Sequence, residues 1–238
     1  MRRIKIKLAY DGTGFHGWQT QPGLPTIQGT LERIVSDLEG KPVHVAGSGR
    51  TDAGVHALEQ VAAFSIGNPI PLANLRRAVN RLLPPAIRVL STEEVPAGFH
   101  PRFDARSKTY EYRIVRSEVC LPLEWPYSHH YPYPLDEERM FRFASVFEGE
   151  HDFTAFAASD DRDAEGKSKV RMIYSSVLER REGRLVYRIR GSGFLKHMVR
   201  NIAGTLIQAG RGNVAEAFPS ASGPTAPAKG LFLTAVEY

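Results

Sequence analysis

The sequence predicts an α+β protein in which the element order β-α-β-β-α-β occurs twice. Runs in which apolar and charged residues alternate, as in RRIKIKLAY and KTYEYRIVRS, are typical of half-buried strands and open each half. Amphipathic helices follow at corresponding places in both halves. A Glu182-Gly183 pair between two strand-like runs marks a hairpin in the second half. This order is the ferredoxin-like split βαβ arrangement.

The first half begins with a strand and a glycine-rich loop, YDGTGFHGWQTQPG. A helix is predicted between an N-cap at Thr26 and a stop at Gly40. The segments PVHVAG, EQVAAFSI and AIRVLSTEEV predict the other strands. The segment PLANLRRAVNRLL predicts the second helix, ended by two prolines. Its expected buried side consists of Leu72, Leu75, Val79 and Leu82.

The second half repeats the order. After the strand KTYEYRIVRS, a helix is predicted in PLDEERMFRFASVFEG, followed by the hairpin VRMIYSSVLERREGRLVYRIRG. The segment FLKHMVRNIAGTLIQAG predicts a helix whose apolar line begins at Leu195 and which Gly210 caps. The final strand is GLFLTAVEY, and the Pro- and Ala-rich tract before it is expected to be an irregular connector.

We therefore expect an N-terminal half over residues 1–104 and a C-terminal half over residues 105–238. Their sheets would lie side by side, with helices on one face and the other face open to a ligand. RNA-binding modules of this topology use the open face, where aromatic side chains stack on bases.

The composition is that of a folded protein, with 238 residues, 42% hydrophobic and 24% charged. The sequence indicates neither a transmembrane segment nor a signal peptide. Its one cysteine, Cys120, excludes a disulfide bond within the chain. These features together predict a cytoplasmic location. The net charge of +5 is compatible with a nucleic-acid partner. Candidates for a phosphate track are Lys5, Lys7, Arg76, Arg77, Arg81, Arg102 and Arg106.

The connection GSGRTDAGVHA carries a single acid, Asp52, two residues after Arg50. It lacks the spacing of a phosphate-binding P-loop and leads into a strand. The neighbouring His56 has no further ligands at metal-site spacing, so no metal is expected. Turn chemistry alone explains an aspartate beside small residues. However, the connection is longer than a hairpin needs, and Arg50 favours the ionised carboxylate, which together favour an active site.

The segment GRTDAGVHALEQVAAF resembles the signature of the tRNA pseudouridine synthase A family. Further segments resemble that family in the same order: YDGTGFHGWQTQPGLPTIQGTLE, FHPRFDARSKTYEYRI, GSGFLKHMVRNIAGTLIQAG and APAKGLFLTAVEY. The resemblance implies the pseudouridine synthase fold, a homodimer, no cofactor or metal, and tRNA as the partner. It also implies isomerisation of uridine to pseudouridine in the anticodon stem-loop.

The same resemblance implies site roles. Asp52 would be the catalytic nucleophile, attacking either C6 of the base or C1′ of the sugar. Arg200 would offset the cost of burying that charge, and Arg50 would support it or hold a phosphate or the displaced nucleotide. Tyr110 would contact the substrate, although from the residues alone either it or Tyr112 is a core tyrosine.

The tract after Gly210 is shorter than the family usually has, which leaves open which tRNA positions are modified. Two other functions are compatible with the residues. The chain could be a noncatalytic RNA-binding module, in which Asp52 has no chemical role, or an RNA hydrolase with Asp52 as its base.

Overall fold

A computed structural model of the chain describes residues 1–159, 166, 168–215 and 217–238. It confirms the α+β class, since helices alternate with antiparallel strands. The strands are Arg2–Tyr10 (β1), Ala46–Gly47 (β2), His56–Ile66 (β3), Ile87–Val95 (β4), Ser107–Val115 (β5), His129–His130 (β6), Gly149–Asp152 (β7), Val170–Arg181 (β8), Arg184–Gly191 (β9) and Leu231–Glu237 (β10). The helices are Ile27–Glu39 (α1), Leu72–Leu82 (α2), Glu137–Ala144 (α3) and Met198–Gly210 (α4).

The chain divides into two compact units. The first contains residues Met1–Arg106 and Leu233–Tyr238, and the second contains Ser107–Phe232. Within the first unit, β1 lies between β4 and β3 and pairs antiparallel with both. Within the second, the strand order is β5-β9-β8-β7, all antiparallel, with β6 parallel to β5. The division at 104/105 into two folding halves stays a prediction.

Helix α1 begins and ends where its sequence predicts. The Thr26 side chain accepts a hydrogen bond from the backbone N–H of Gly29, and Gly40 adopts the left-handed conformation with φ 75°. In α2, the expected burial of Leu82 is wrong, because that side chain is 52% exposed. Leu83, just past the helix end, is buried instead. The extended backbone of Leu83 redirects its side chain at that point.

The predicted strand PVHVAG is shorter than expected. Only Ala46 and Gly47 pair, opposite Ala63 and Ala62 of β3. The remainder is loop, in which Val43 is nevertheless buried. Val43 is therefore buried without belonging to a paired strand.

The second unit confirms the hairpin at Glu182-Gly183, where both residues have positive φ, as a two-residue turn between antiparallel strands requires. Helix α4, in contrast, begins at Met198, because His197 before it has a left-handed backbone with φ 61°. The prediction that this helix includes Leu195 is wrong, and so is the expected cap at Gly210, which is helical. A Cβ at Gly210 would lie 2.6 Å from Met140 Sδ, so glycine permits the close packing of α3 on α4.

The connector after α4 is irregular, as predicted. Over residues 211–215 and 217–230 the structure contains no α-helix, and its one regular piece is a 3₁₀ turn at Ala228–Gly230. In the part of the chain that the structure describes, no helix is long and apolar enough to cross a membrane.

Candidate active site

Asp52 lies on the loop between β2 and β3, which a tight turn closes. The backbone N–H of Val55 donates to Asp52 O at 3.1 Å, and Gly54 supplies the positive φ of 77° at the third position of this turn. Thr51 and Val55 on either side are buried, whereas Asp52 is partly exposed and Arg50 is exposed. Buried neighbours thus anchor the loop and leave the acid accessible.

A buried polar network supports the loop from below. The Tyr10 hydroxyl lies 2.9 Å from Thr51 Oγ1, and Gln60 Nε2 donates to Tyr10 at 3.4 Å and to Gly49 O at 3.0 Å. The Ser48 hydroxyl donates to Gln60 Oε1 at 2.6 Å. Burial raises the pKa of Tyr10 to about 12, so its hydroxyl stays protonated at physiological pH. The network ties the first part of the loop, from Ser48 to Thr51, to β1 and β3.

The glycine-rich first loop also contacts the Asp52 loop directly. Trp18 N–H donates to Thr51 O at 3.0 Å. A Cβ on Gly17 would lie 2.6 Å from Thr51 O, and one on Gly12 would lie 2.0 Å from Val55 O. Glycine is therefore required at both positions for the two loops to touch. The Asp52 backbone is fixed before any substrate binds.

The acid Asp11 stands next to Gly12 in the first glycine-rich loop and makes a turn there. Its Oδ1 accepts from the N–H and hydroxyl of Thr13, at 2.9 and 2.6 Å. Nδ1 of the buried His56 lies 3.2 Å from the same oxygen but accepts a hydrogen bond from Gly12 N–H at 3.1 Å. His56 therefore contacts both the backbone and the acid of this turn, which makes it a structural residue of the first loop.

The second unit holds the other two candidates. Tyr110 lies on β5 opposite Ile189 of β9, is 7% exposed, and packs edge-to-face on Phe194 with ring centroids 5.1 Å apart. Tyr112 is fully buried and its hydroxyl donates to Pro227 O at 2.9 Å. Both tyrosines are thus buried, Tyr112 completely and Tyr110 with 7% of its surface exposed.

Arg200 is not a solvated helix-surface charge. Its Nε donates to Ala226 O at 2.8 Å, while its own carbonyl accepts from Ala226 N–H at 3.1 Å. Burial raises the pKa of Tyr112, and the charge of Arg200 opposes that rise. Arg200 is therefore held by the irregular connector.

Glycine packing fixes that connector on α4. A Cβ on Gly204 would lie 1.7 Å from Pro224 O, so only glycine allows the backbones to approach this closely. On the same side of the helix, the Thr225 hydroxyl donates to Asn201 Oδ1 at 2.6 Å. The Pro- and Ala-rich tract is thus a structural support for Arg200.

The sequence named four candidate residues, whose roles stay predictions, but did not reveal the residues that support them. Arg50 and Asp52 share one loop of the first unit, and Tyr110 and Arg200 belong to the second. The supporting residue Gln60 stands beside Glu59 just before the apolar run VAAF, so the sequence did not single it out as a buried support. Among the described residues, no three His, Cys, Asp or Glu side chains are grouped as a metal site.

Two members of the expected phosphate track are engaged within the fold. Lys5 pairs with Glu93 at 2.6 Å, and Lys7 pairs with Glu59 at 3.0 Å. Their charges are largely compensated, which weakens their case as phosphate ligands.

Comparison with known proteins gives one consistent match. A family model described as tRNA pseudouridine synthase matches residues 7–104 and 143–238. A protein of Solibacter usitatus named tRNA pseudouridine synthase A is 75% identical over 240 residues, with both chains fully covered. Proteins of the same name from Geotalea uraniireducens and Acetivibrio thermocellus are 44% and 41% identical over 247 residues, again with both chains fully covered.

Proposed function

Since the chain belongs to the tRNA pseudouridine synthase family, we propose that it isomerises uridines in the anticodon stem-loop of tRNA with Asp52 as its nucleophile. The reaction breaks the C1′–N1 bond and forms a C1′–C5 bond. The proton on C5 is lost and N1 gains one, so the composition of the nucleotide does not change. Asp52 would form a transient bond to C6 of the base or to C1′ of the sugar, and both routes remain open.

The fixed placement of Asp52 is the observation that supports this role most. A nucleophile must be held near its target before reaction, because prior positioning removes an entropic cost from the barrier. Loop-to-loop contacts at Gly12 and Gly17, together with the Tyr10 network, supply such positioning. A turn with no further role would not need both sets of contacts.

The three other candidate residues would each have a separate role in substrate binding or catalysis. The exposed Arg50, two residues before the acid, would hold a phosphate or the displaced nucleotide. Arg200, already desolvated in part by the connector, would favour the ionised carboxylate when substrate excludes water. Tyr110, which keeps 7% of its surface exposed, would contact the flipped base.

The test is Asp52→Asn in the purified enzyme with an anticodon stem-loop RNA, measuring pseudouridine formation. We expect activity to fall by at least about 10³-fold, of the order seen when a covalent nucleophile is removed. Asp37→Asn, the same change at an exposed position on α1, is the control and should retain full activity. Wild-type activity in Asp52→Asn would overturn the assignment. Cleavage of the RNA would indicate a hydrolase instead.

We also propose that the enzyme is a cytoplasmic homodimer, as the family resemblance implies. Sedimentation equilibrium of the full chain tests the assembly, with a mass near twice 26.5 kDa expected. A monomer that retains full activity would contradict this part of the proposal.

A further inference from the structure

A short turn in the first unit carries a phenylalanine whose side chain is mostly exposed to solvent. Phe103 is 76% exposed and lies at the tip of the turn His100–Asp104, which we call the aromatic turn. Single exposed apolar residues are common and need no explanation by themselves. Here, however, the surrounding residues hold the ring in one place rather than leaving it on a loose loop.

Hydrogen bonds lock the aromatic turn internally. His100 N–H donates to Asp104 Oδ2 at 2.9 Å, and Asp104 N–H returns a bond to His100 O at 3.1 Å. Arg102 N–H donates to His100 Nδ1 at 3.1 Å, which orients the imidazole. The backbone that carries Phe103 is therefore fixed at both ends.

The turn is also anchored to the body of the first unit. The Tyr238 hydroxyl donates to Pro101 O at 2.7 Å, and its ring packs on Phe99 with centroids 5.1 Å apart. Arg3 Nε donates to Phe99 O at 3.2 Å. A rigid support of this kind reduces the entropy lost when a ligand binds to the exposed ring.

The neighbours of Phe103 form a platform suited to a nucleobase. The His100 ring lies 4.3 Å from the Phe103 ring at 34°, and the Arg102 guanidinium lies 5.8 Å from its centroid. An aromatic face combined with nearby arginine is the combination that binds single-stranded nucleic acid, because the ring stacks on a base while the cation attracts the phosphates. Arg106 adds a further exposed positive charge close in sequence.

We propose that Phe103, backed by His100 and flanked by Arg102, stacks on an unpaired nucleobase of the bound tRNA. This contact is separate in sequence from the Asp52 loop and contributes to binding and register rather than to chemistry. The inference rests on the proposed function only in that tRNA is the substrate. It does not depend on the role of Asp52.

The test is Phe103→Ala, with Kd measured by fluorescence anisotropy on a labelled full-length tRNA and kcat and KM measured on the same RNA. Loss of one base stack is expected to weaken binding by about 10-fold, within the range that aromatic-to-alanine changes give. KM should rise correspondingly and kcat should stay unchanged. Phe103→Trp should restore tight binding, because it also presents a π face.

Salt dependence distinguishes stacking from a general electrostatic effect. The slope of log Kd against log salt counts phosphates neutralised by cations, so Phe103→Ala should leave that slope unchanged while shifting the line. Leu123→Ala, at an 88% exposed apolar position in the second unit, is the matched control and should not alter Kd.

Several results would overturn the inference: unchanged Kd in Phe103→Ala, no recovery in Phe103→Trp, or an equal loss in Leu123→Ala. A change in oligomeric mass with unchanged Kd would assign Phe103 to a protein contact instead. Binding is measured without turnover, so a wild-type chain that makes no pseudouridine would refute the proposed function and still leave the stacking test readable.

Discussion

Removal of one hydroxyl beneath the Asp52 loop should disturb the position of the acid as well as the stability of the fold. Tyr10→Phe keeps the ring and its packing on Trp18 but deletes the oxygen 2.9 Å from Thr51 Oγ1. Gln60 keeps its bond to Gly49 O, so the main loss is the partner of the Thr51 hydroxyl. Removing one partner of a buried polar group costs about 1–2 kcal/mol.

That loss converts into two measurable effects. For a chain of this size, Tm should fall by about 2–8 °C. A displacement of about 1 Å at a reacting group costs about 100-fold in rate. Because Trp18 N–H still holds Thr51 O at 3.0 Å, the loop should shift less than that, and we expect kcat to fall about 10-fold with KM unchanged.

Tyr187→Phe is the matched control for this prediction. Tyr187 is fully buried in the second unit, and its hydroxyl lies 2.8 Å from Ser176 Oγ, so the same atom is removed from a similar setting. Both variants should show a comparable fall in Tm in thermal melts. Only Tyr10→Phe should lower kcat in single-turnover formation of pseudouridine. Equal kcat values in the two variants would refute the view that the network positions Asp52.

Two further predictions concern stability. Gly204→Ala should cost about 3 kcal/mol in chemical denaturation, because its Cβ would meet Pro224 O at 1.7 Å. Gly98→Ala, with nothing within 4 Å, should cost almost nothing, and equal losses would contradict the packing account. Burial and the nearby positive charge of Lys229 lower the pKa of His129 from 6.5 to about 4. The unfolded chain therefore takes up a proton that the folded chain excludes, so this stability is present above about pH 6.5 and is lost as pH falls towards about 4. His129→Phe should flatten the Tm–pH curve in that window, whereas an unchanged curve would contradict this assignment.

The sequence predicted helices and strands correctly where the preferences of the local residues agree with the way those residues pack in the fold. Thr26 and Gly40 act at the two ends of α1 as their residue types indicate. The start of α4 was not predicted, because its boundary depends on a left-handed backbone at His197, a conformation that residues other than glycine adopt only rarely. The prediction that Gly210 caps α4 was also wrong. Glycine is needed at this position because its small size lets α3 pack closely on α4.

The candidate site was likewise predictable from the sequence only in part. A lone acid in a glycine-rich connection, Asp52, is visible from sequence alone, and so is its neighbour Arg50. The support beneath it is not, because Tyr10 and Thr51 are 41 residues apart and meet only through the pairing of β1 with β3. Likewise, the anchoring of Arg200 by Ala226 depends on how an irregular connector folds back, which no periodicity encodes.

The central claim is that Asp52 is the nucleophile of a tRNA pseudouridine synthase. Its most direct test is to map pseudouridine in tRNA from cells that lack this gene and carry either the wild-type chain or Asp52→Asn. The account predicts that the wild-type chain restores pseudouridine in the anticodon stem-loop and that Asp52→Asn, produced at an equal level, does not. Restoration by both chains would contradict it.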